Sequence, residues 1–358
     1  MWSKLRKHPL YWHLVAALIA GIVELLLGEA RKQHLLKGES FWIATGLVVG
    51  GLLISLQIWL YYWNRRRLVF VLLPPFHNNY FFAGLLWNLL EELRERDLVG
   101  VPISHTSGRG QAGQNRDFDE ILRRKQDYMA GIVAGLEPGV GADEVRHFLA
   151  AFGKPVVFVD AEPFQQERDY PPTTAYVGFD DKAGARIAAD ALLDALPKSC
   201  SAPRILVIGG NLKKDRQVAF KQHVKTLRPK ATVAVDEDGR FLREEACKIA
   251  ERYLRNGQVP CDGVFCTNDE MALGALDAMQ RLVENGTKPL LVGYDAIPEA
   301  VREIEKGTQF KNTVVQETRE LAARGSELIA DFLEGSRNPL AKVNRLEPVV
   351  YKKINLGS

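Results

Sequence analysis

Cysteine is scarce in this chain. Only Cys200, Cys247, Cys261 and Cys266 occur in 358 residues, with no C-x-x-C spacing and no histidine cluster beside them. A thiolate metal site or a redox role is therefore not expected, and the four read as small buried hydrophobes. The seven histidines, His8, His13, His34, His77, His105, His147 and His223, include no metal-spaced pair. There is also no nucleophile-elbow pattern and no phosphate-binding turn of the Walker type. Catalysis, a metal and a bound cofactor thus have no support in the sequence. Gly209-Gly210-Asn211, after an apolar run, leaves two readings, a structural turn or a weak phosphate loop. An excess of cations is missing too. The formal net charge is +3, but residues 1–67 hold nine Lys/Arg against three Glu, a balance of +6, so the remainder carries −3. A mildly acidic body argues against a nucleic-acid surface.

What is present is an ordinary folded composition, 46% hydrophobic and 25% charged, in a chain long enough for about two domains and some extras. Leu10 to Gly28 and Phe41 to Trp63 are apolar runs, each long enough to cross a hydrocarbon core of about 30 Å. Trp2, Tyr11, Trp12, Phe41, Trp42, Trp59, Tyr61, Tyr62 and Trp63 gather where the interfaces would lie. The expectation is a transmembrane hairpin over residues 1–67, with helices at about 10–28 and 41–63. Lys and Arg flank the outer ends of both runs, so the count places both tails, and the body that follows, on the cytoplasmic side of a bacterial inner membrane. Glu24 reads either as a carboxylate reaching the headgroups or as part of a proton relay. Gly46 and Gly50, a small-residue pair, either close the hairpin on itself or join two protomers as a homo-oligomer.

From Leu68 onward the chain alternates strand and helix. Leu68–Leu73 is a buried-strand run, after which Phe82, Leu85, Leu86, Leu89, Leu90 and Leu93 recur at helical spacing. Strands at 99–104, 131–134 and 156–160 follow, with a polar loop at 107–114 and helices from about Phe118 and over 142–152. Beyond Pro163, Pro171 and Pro172 a second series starts, with strands at 176–179, 204–208, 232–235, 264–267 and 290–294. Its helices are expected at 181–196, 215–227, 242–256, 269–284 and 297–307. Two such series predict an α/β protein of two doubly wound parallel-sheet lobes with a ligand groove between them. The join Thr267-Asn268-Asp269-Glu270 places polar side chains at the carboxyl end of a strand, where open α/β sheets bind ligands. Asn268 also reads simply as a helix cap.

The motifs in this body resemble those of the type 1 periplasmic binding proteins, particularly the ribose-binding and related sugar-binding group, whose lobes also occur in lactose-repressor-type regulators. The resemblance spans about residues 68–352. Asn78-Asn79-Tyr80-Phe81-Phe82 resembles that family's Asn-Asn-Pro-Phe-Phe loop, and Pro155-Val156-Val157-Phe158-Val159-Asp160 its strand ending in Asp. Arg216-Gln217-Val218-Ala219-Phe220 is similar to the Arg-x-x-Gly-Phe helix start. Asn268 to Leu276, Val292-Gly293-Tyr294-Asp295 and Thr313-Val314-Val315-Gln316 complete the set. The resemblance implies crossovers near 174–178, 315–317 and 342–346, a three-strand hinge. The first lobe would take about 68–174 and 317–342, the second about 176–315 and 343–354. It implies a ligand site formed by Asn79, Phe81, Phe82, Asp160, Lys214, Arg216, Asn268, Asp295 and Gln316. Three positions depart from the pattern: Tyr80 stands for Pro, Ala219 for Gly, and Asp160 is followed by Ala161-Glu162 instead of Arg.

These residue types suit a sugar-like molecule. Aspartates accept from two hydroxyls, Asn and Gln both donate and accept, and an aromatic ring covers a flat CH face. Each position has a plainer reading beside this one: core packing for Phe81 and Phe82, capping or hinge bonds for Asp160 and Asp295, a local ion pair for Arg216. Two functions follow from the sequence. One is a membrane-anchored, non-catalytic solute-binding protein serving an ABC permease. The other is a cytoplasm-facing receptor that signals through the hairpin or a partner protein.

Overall fold

The computed structural model describes residues 46, 49–52, 54–57, 67–74, 79–104, 110–135, 140–210, 214–255, 261–282, 289–335 and 341–351. Two compact units divide at Arg66 and Arg67. Within the first unit the described residues, 46, 49–52 and 54–57, are helical. A Cβ added at Gly46 or Gly50 would meet nothing within 4 Å. The rest of the two apolar runs lies outside the described residues. Among those described, no helix is long and apolar enough to cross a membrane.

The second unit is built on two six-stranded sheets. The first contains β1 (Leu68–Leu73), β2 (Val99–Ser104), β3 (Ala130–Ala134), β4 (Val156–Val159), β5 (Thr174–Phe179) and β11 (Val343–Leu346), in the order β11-β5-β4-β3-β1-β2. The second contains β6 (Arg204–Ile208), β7 (Thr232–Asp236), β8 (Gly263–Cys266), β9 (Leu290–Asp295), β10 (Phe310–Val315) and β12 (Val349–Val350), in the order β12-β10-β9-β8-β6-β7. Every pairing is parallel except that of β12 with β10. Parallel strands need crossover helices, and these cover both faces of each sheet. In the first sheet they are α1 (Tyr80–Glu95), α2 (Gln111–Arg123), α3 (Ala142–Phe152) and α9 (Thr318–Leu333). In the second they are α4 (Asp181–Ala195), α5 (Lys214–Leu227), α6 (Arg243–Arg255), α7 (Asp269–Leu282) and α8 (Pro298–Glu305).

Strand alternation assigns the side chains. Val69, Val71 and Leu73 pack with Leu85, Leu89, Leu321 and Ile329 of α1 and α9, whereas Phe70 and Leu72 pack with Phe118 and Phe148 of α2 and α3. Phe70 meets Tyr128, Phe148 and Phe152 edge-on, at ring centroid separations of 5.6, 6.1 and 5.3 Å. In the second sheet Ile205 and Val207 face α4 and α5, and Leu206 and Ile208 face α6 and α7.

Three connections pass from one sheet to the other. The chain leaves the first after Phe179, returns through Gln316 and Glu317 into α9, and leaves again between Leu346 and Val349. The strands that the sequence associates with the outer two crossings, β5 and β11, both lie wholly in the first sheet, paired with each other. One helix differs from expectation. α2 starts at Gln111, not near Phe118, directly after its N-cap Gly110, whose φ of +92 suits glycine.

Candidate functional site

Strand ends and helix starts in the second unit bring a set of polar side chains together. Arg216, one turn into α5, is the hub. Its side chain is 3% exposed. Nε donates to Asp181 Oδ1 at 2.7 Å, Nη1 to the Thr267 carbonyl at 2.8 Å and Nη2 to Gln316 Oε1 at 3.2 Å. Asp295 Oδ1 lies 3.9 Å from Nη1, and the guanidinium carbon sits 3.8 Å from the centre of the Tyr294 ring. Burial alone opposes the guanidinium's charge, but Asp181, Tyr294, Asp295 and Asp160 outweigh it and raise its pKa. A buried cation held this way positions its acceptors as firmly as they position it.

Asp160 directly follows β4 and Asp295 ends β9, and both adopt positive φ, +71 and +114. Such backbone is uncommon for a residue other than glycine and is held by its surroundings. It turns each carboxylate off the end of its strand, and both groups lie within the electrostatic reach of Arg216. Tyr176, one strand over, places its hydroxyl 3.5 Å from the Asp160 carbonyl. Burial, followed by the charge of Asp160, raises its pKa.

Asn268 is buried and caps α7, its Oδ1 accepting from the Met271 amide at 2.9 Å. That cap uses the carbonyl oxygen only, so the Nδ2 donors are not spent on it. Asn79 caps α1 in the same manner, accepting from the Phe82 amide at 3.2 Å. The two helix starts are themselves linked. The Tyr80 backbone lies near enough to the Glu270 carboxylate, in the first turn of α7, to favour its charged form, so the start of the first sheet's α1 approaches the start of the second sheet's α7.

The structure brings Arg216, Gln316, Asp295 and Asp160 into one cluster, and it places Asn79 and Asn268 at the two linked helix starts. Three of the expected residues stand apart from that cluster. Lys214 points outward, its side chain 62% exposed and paired with Glu237 at 2.9 Å. Phe81 is in the hydrophobic core with Leu85 and Leu89. Phe82 is half-buried and meets Phe81 edge-on at 5.4 Å. A Cβ on Gly135, at the end of β3 with φ +83, would lie 3.1 Å from the Phe82 ring, so that glycine gives the ring its place over the strand end. Sequence reasoning missed Asp181, Thr267 and Tyr294 as partners of Arg216. Tyr294 carried a signal: it precedes Asp295, so strand alternation turns it to the opposite face, toward α5. Glu162, two residues after Asp160, is paired with Arg345 of β11 at 2.7 and 2.8 Å.

A family model described as a periplasmic binding protein domain matches residues 70–337. The chain belongs to that family. Among curated relatives, the ribose import binding protein RbsB of Bacillus subtilis is 24% identical over 275 residues, 76% of this chain and 84% of its own. The ribose import binding protein of Haemophilus influenzae is 27% identical over 183 residues, 51% of this chain and 58% of its own length. Among solved structures, a Caulobacter myo-inositol binding protein with bound myo-inositol superposes with a TM-score of 0.69 at 22% identity, covering 81% of this chain and 94% of that one. This structural likeness establishes the shared fold, two lobes with parallel sheets. Membership of the periplasmic binding protein family also corrects one expectation. Placement in the inner membrane with the body facing the cytoplasm does not hold, since the family is periplasmic by name and no described helix could cross a bilayer. Lys and Arg counts orient only segments that insert, so by themselves they decide no side. The receptor reading rested on that placement and loses its support with it.

Proposed function

We propose that this chain is a non-catalytic binding protein that closes its two lobes on a small sugar-like ligand and delivers it as the solute-binding component of an ABC importer. The observation that carries the reading is the cluster around Arg216. A buried guanidinium, an amide and two strand-end carboxylates stand together where the strands of two sheets end. Hydroxyls of a sugar rim are matched by that mixture: Asp160 and Asp295 accept, while Asn268, Gln316 and Asn79 accept or donate. The half-buried ring of Phe82 offers an apolar surface to a CH face. The named relatives supply the substrate class, since two are ribose import binding proteins and a structural neighbour holds myo-inositol. Three connections between the sheets suit a hinge, and a ligand shifts such a hinge only by binding its closed form more tightly than its open form.

Thermal unfolding of the full chain with D-ribose, D-allose, D-xylose and myo-inositol tests the reading. A ligand specific for the folded protein stabilises it by about 2.7 kcal/mol at a hundredfold excess over Kd, so one of these should raise the melting temperature by several degrees. Absence of any shift with these and a wider set of sugars and polyols at millimolar concentration would sink the reading.

A further inference from the structure

The turn that presents Asp295 is conformationally expensive. Asp295 and the next residue, Ala296, have φ of +114 and +56, two consecutive non-glycine residues on the disfavoured side of the backbone map. Such a residue persists only where its surroundings over-determine it. The buttress lies directly beneath the turn. Asp269, fully buried at the start of α7, accepts from the Ile297 amide with Oδ2 at 2.9 Å and from the Thr313 hydroxyl with Oδ1 at 2.8 Å. Thr313, itself fully buried on β10, in turn accepts from the Ala296 amide at 3.3 Å. The two amides that follow Asp295 are thus tied to one carboxylate, that of Ile297 directly and that of Ala296 through one hydroxyl.

We infer that Asp269 and Thr313 are positioning residues, whose joint bond network holds the Asp295–Ala296 turn in its strained form and thereby sets the ligand-facing direction of the Asp295 carboxylate. Neighbouring features agree. Gly293 lies opposite Thr313 in the β9–β10 register, and a Cβ there would fall 2.0 Å from Asp269 Oδ1, so only glycine leaves room for the carboxylate. Ile297, the N-cap of α8, has no side-chain cap of its own, and Asp269 takes its amide instead. Two stretches far apart in the chain, Asn268-Asp269 and Val292-Gly293-Tyr294-Asp295, therefore divide their work. Asp295 stands beside Arg216 and Asn268 caps α7, while the inner Asp269 and Gly293 fit each other.

The ligand-facing role of Asp295 rests on the function proposed above, but the brace does not, so the test reads both separately. Thr313→Val keeps the shape and removes the hydroxyl, and Thr313→Ser restores the hydroxyl alone. Crystal structures of both variants, with calorimetric titration of each by D-ribose, are compared with the parent. The expected result is that Thr313→Val moves Asp295 and Ala296 out of the positive-φ region and raises Kd about tenfold, a cost of about 1.4 kcal/mol. Thr313→Ser should keep the parent's backbone and lie within about twofold of its Kd, a recovery that general loss of packing would not give. A Thr313→Val structure with both residues still at positive φ overturns the inference, and so does parental affinity in that variant. Where the parent does not bind D-ribose, the proposed ligand class fails for that sugar, and the backbone angles alone decide the brace. Should Thr313→Val not fold, the isosteric Asp269→Asn is read by the same two measurements.

Discussion

At the scale of single residues, the contrast between Asp295 and Lys214 shows what decides whether a polar side chain belongs to a site. Both stand in motifs, yet Asp295 is held within 3.9 Å of a buried guanidinium while Lys214 reaches solvent and pairs with Glu237. Lys214 is thus one of the many exposed pairs that contribute little. Asp295→Ala should weaken binding of whichever sugar stabilises the fold by about 1–3 kcal/mol, since it strands hydroxyls in a closed site. Isothermal titration reads this as a rise in Kd of about 5- to 150-fold, and an unchanged Kd would remove Asp295 from the site. The acidic and amide members of the cluster were legible in the sequence because each ends a strand or starts a helix. Asp181 was not, since its link to Arg216 is made by packing of α4 against α5, which no local pattern encodes; for Tyr294 strand alternation gave the face but not the partner.

At the scale of elements, the helices carry the pattern of their burial in their spacing, and so their existence was readable. Their closest contacts were not. Gly274, inside α7, reads as a propensity defect, because glycine in a helix is about 1 kcal/mol worse than alanine. The structure reverses this. A Cβ at Gly274 would lie 2.0 Å from the carbonyl oxygen of Arg243, a backbone atom at the start of α6 that cannot swing aside. Overpacking of this kind costs about 1–3 kcal/mol, which exceeds the gain in propensity. Gly274→Ala should therefore lower the midpoint of urea unfolding, with the slope unchanged; a higher midpoint would show that α6 and α7 separate easily.

At the scale of the whole second unit, helices that cover different sheets approach each other where the Tyr80 backbone acts on the Glu270 carboxylate. Burial raises the pKa of Glu270 above its ordinary 4.5, more than Arg243 and the Tyr80 backbone lower it. A carboxyl with a raised pKa when folded keeps its proton longer in the native state. Its contribution to stability is therefore complete below about pH 4.5 and falls as pH rises through the native value. Glu270→Gln removes this titration, so the difference in melting temperature between variant and parent should grow in the variant's favour from pH 4 toward neutrality. A difference that stays constant with pH would show that Glu270 does not titrate between the folded and unfolded states.

The sequence alone determined the alternation of strand and helix, the buried faces, and the identity of most residues at the strand ends. Each of these is written in local spacing, hydrophobic period and capping chemistry, which act over a few residues. Only the tertiary structure decided which of those residues meet. Arg216 reaches Asp181 and Gln316, 35 and 100 positions away in the chain. Asp269 finds its space under β9 because Gly293 has no side chain to fill it. Such contacts depend on how parallel strands are ordered within each sheet, and that order comes from packing whole helices against both faces, a property no short stretch of sequence contains.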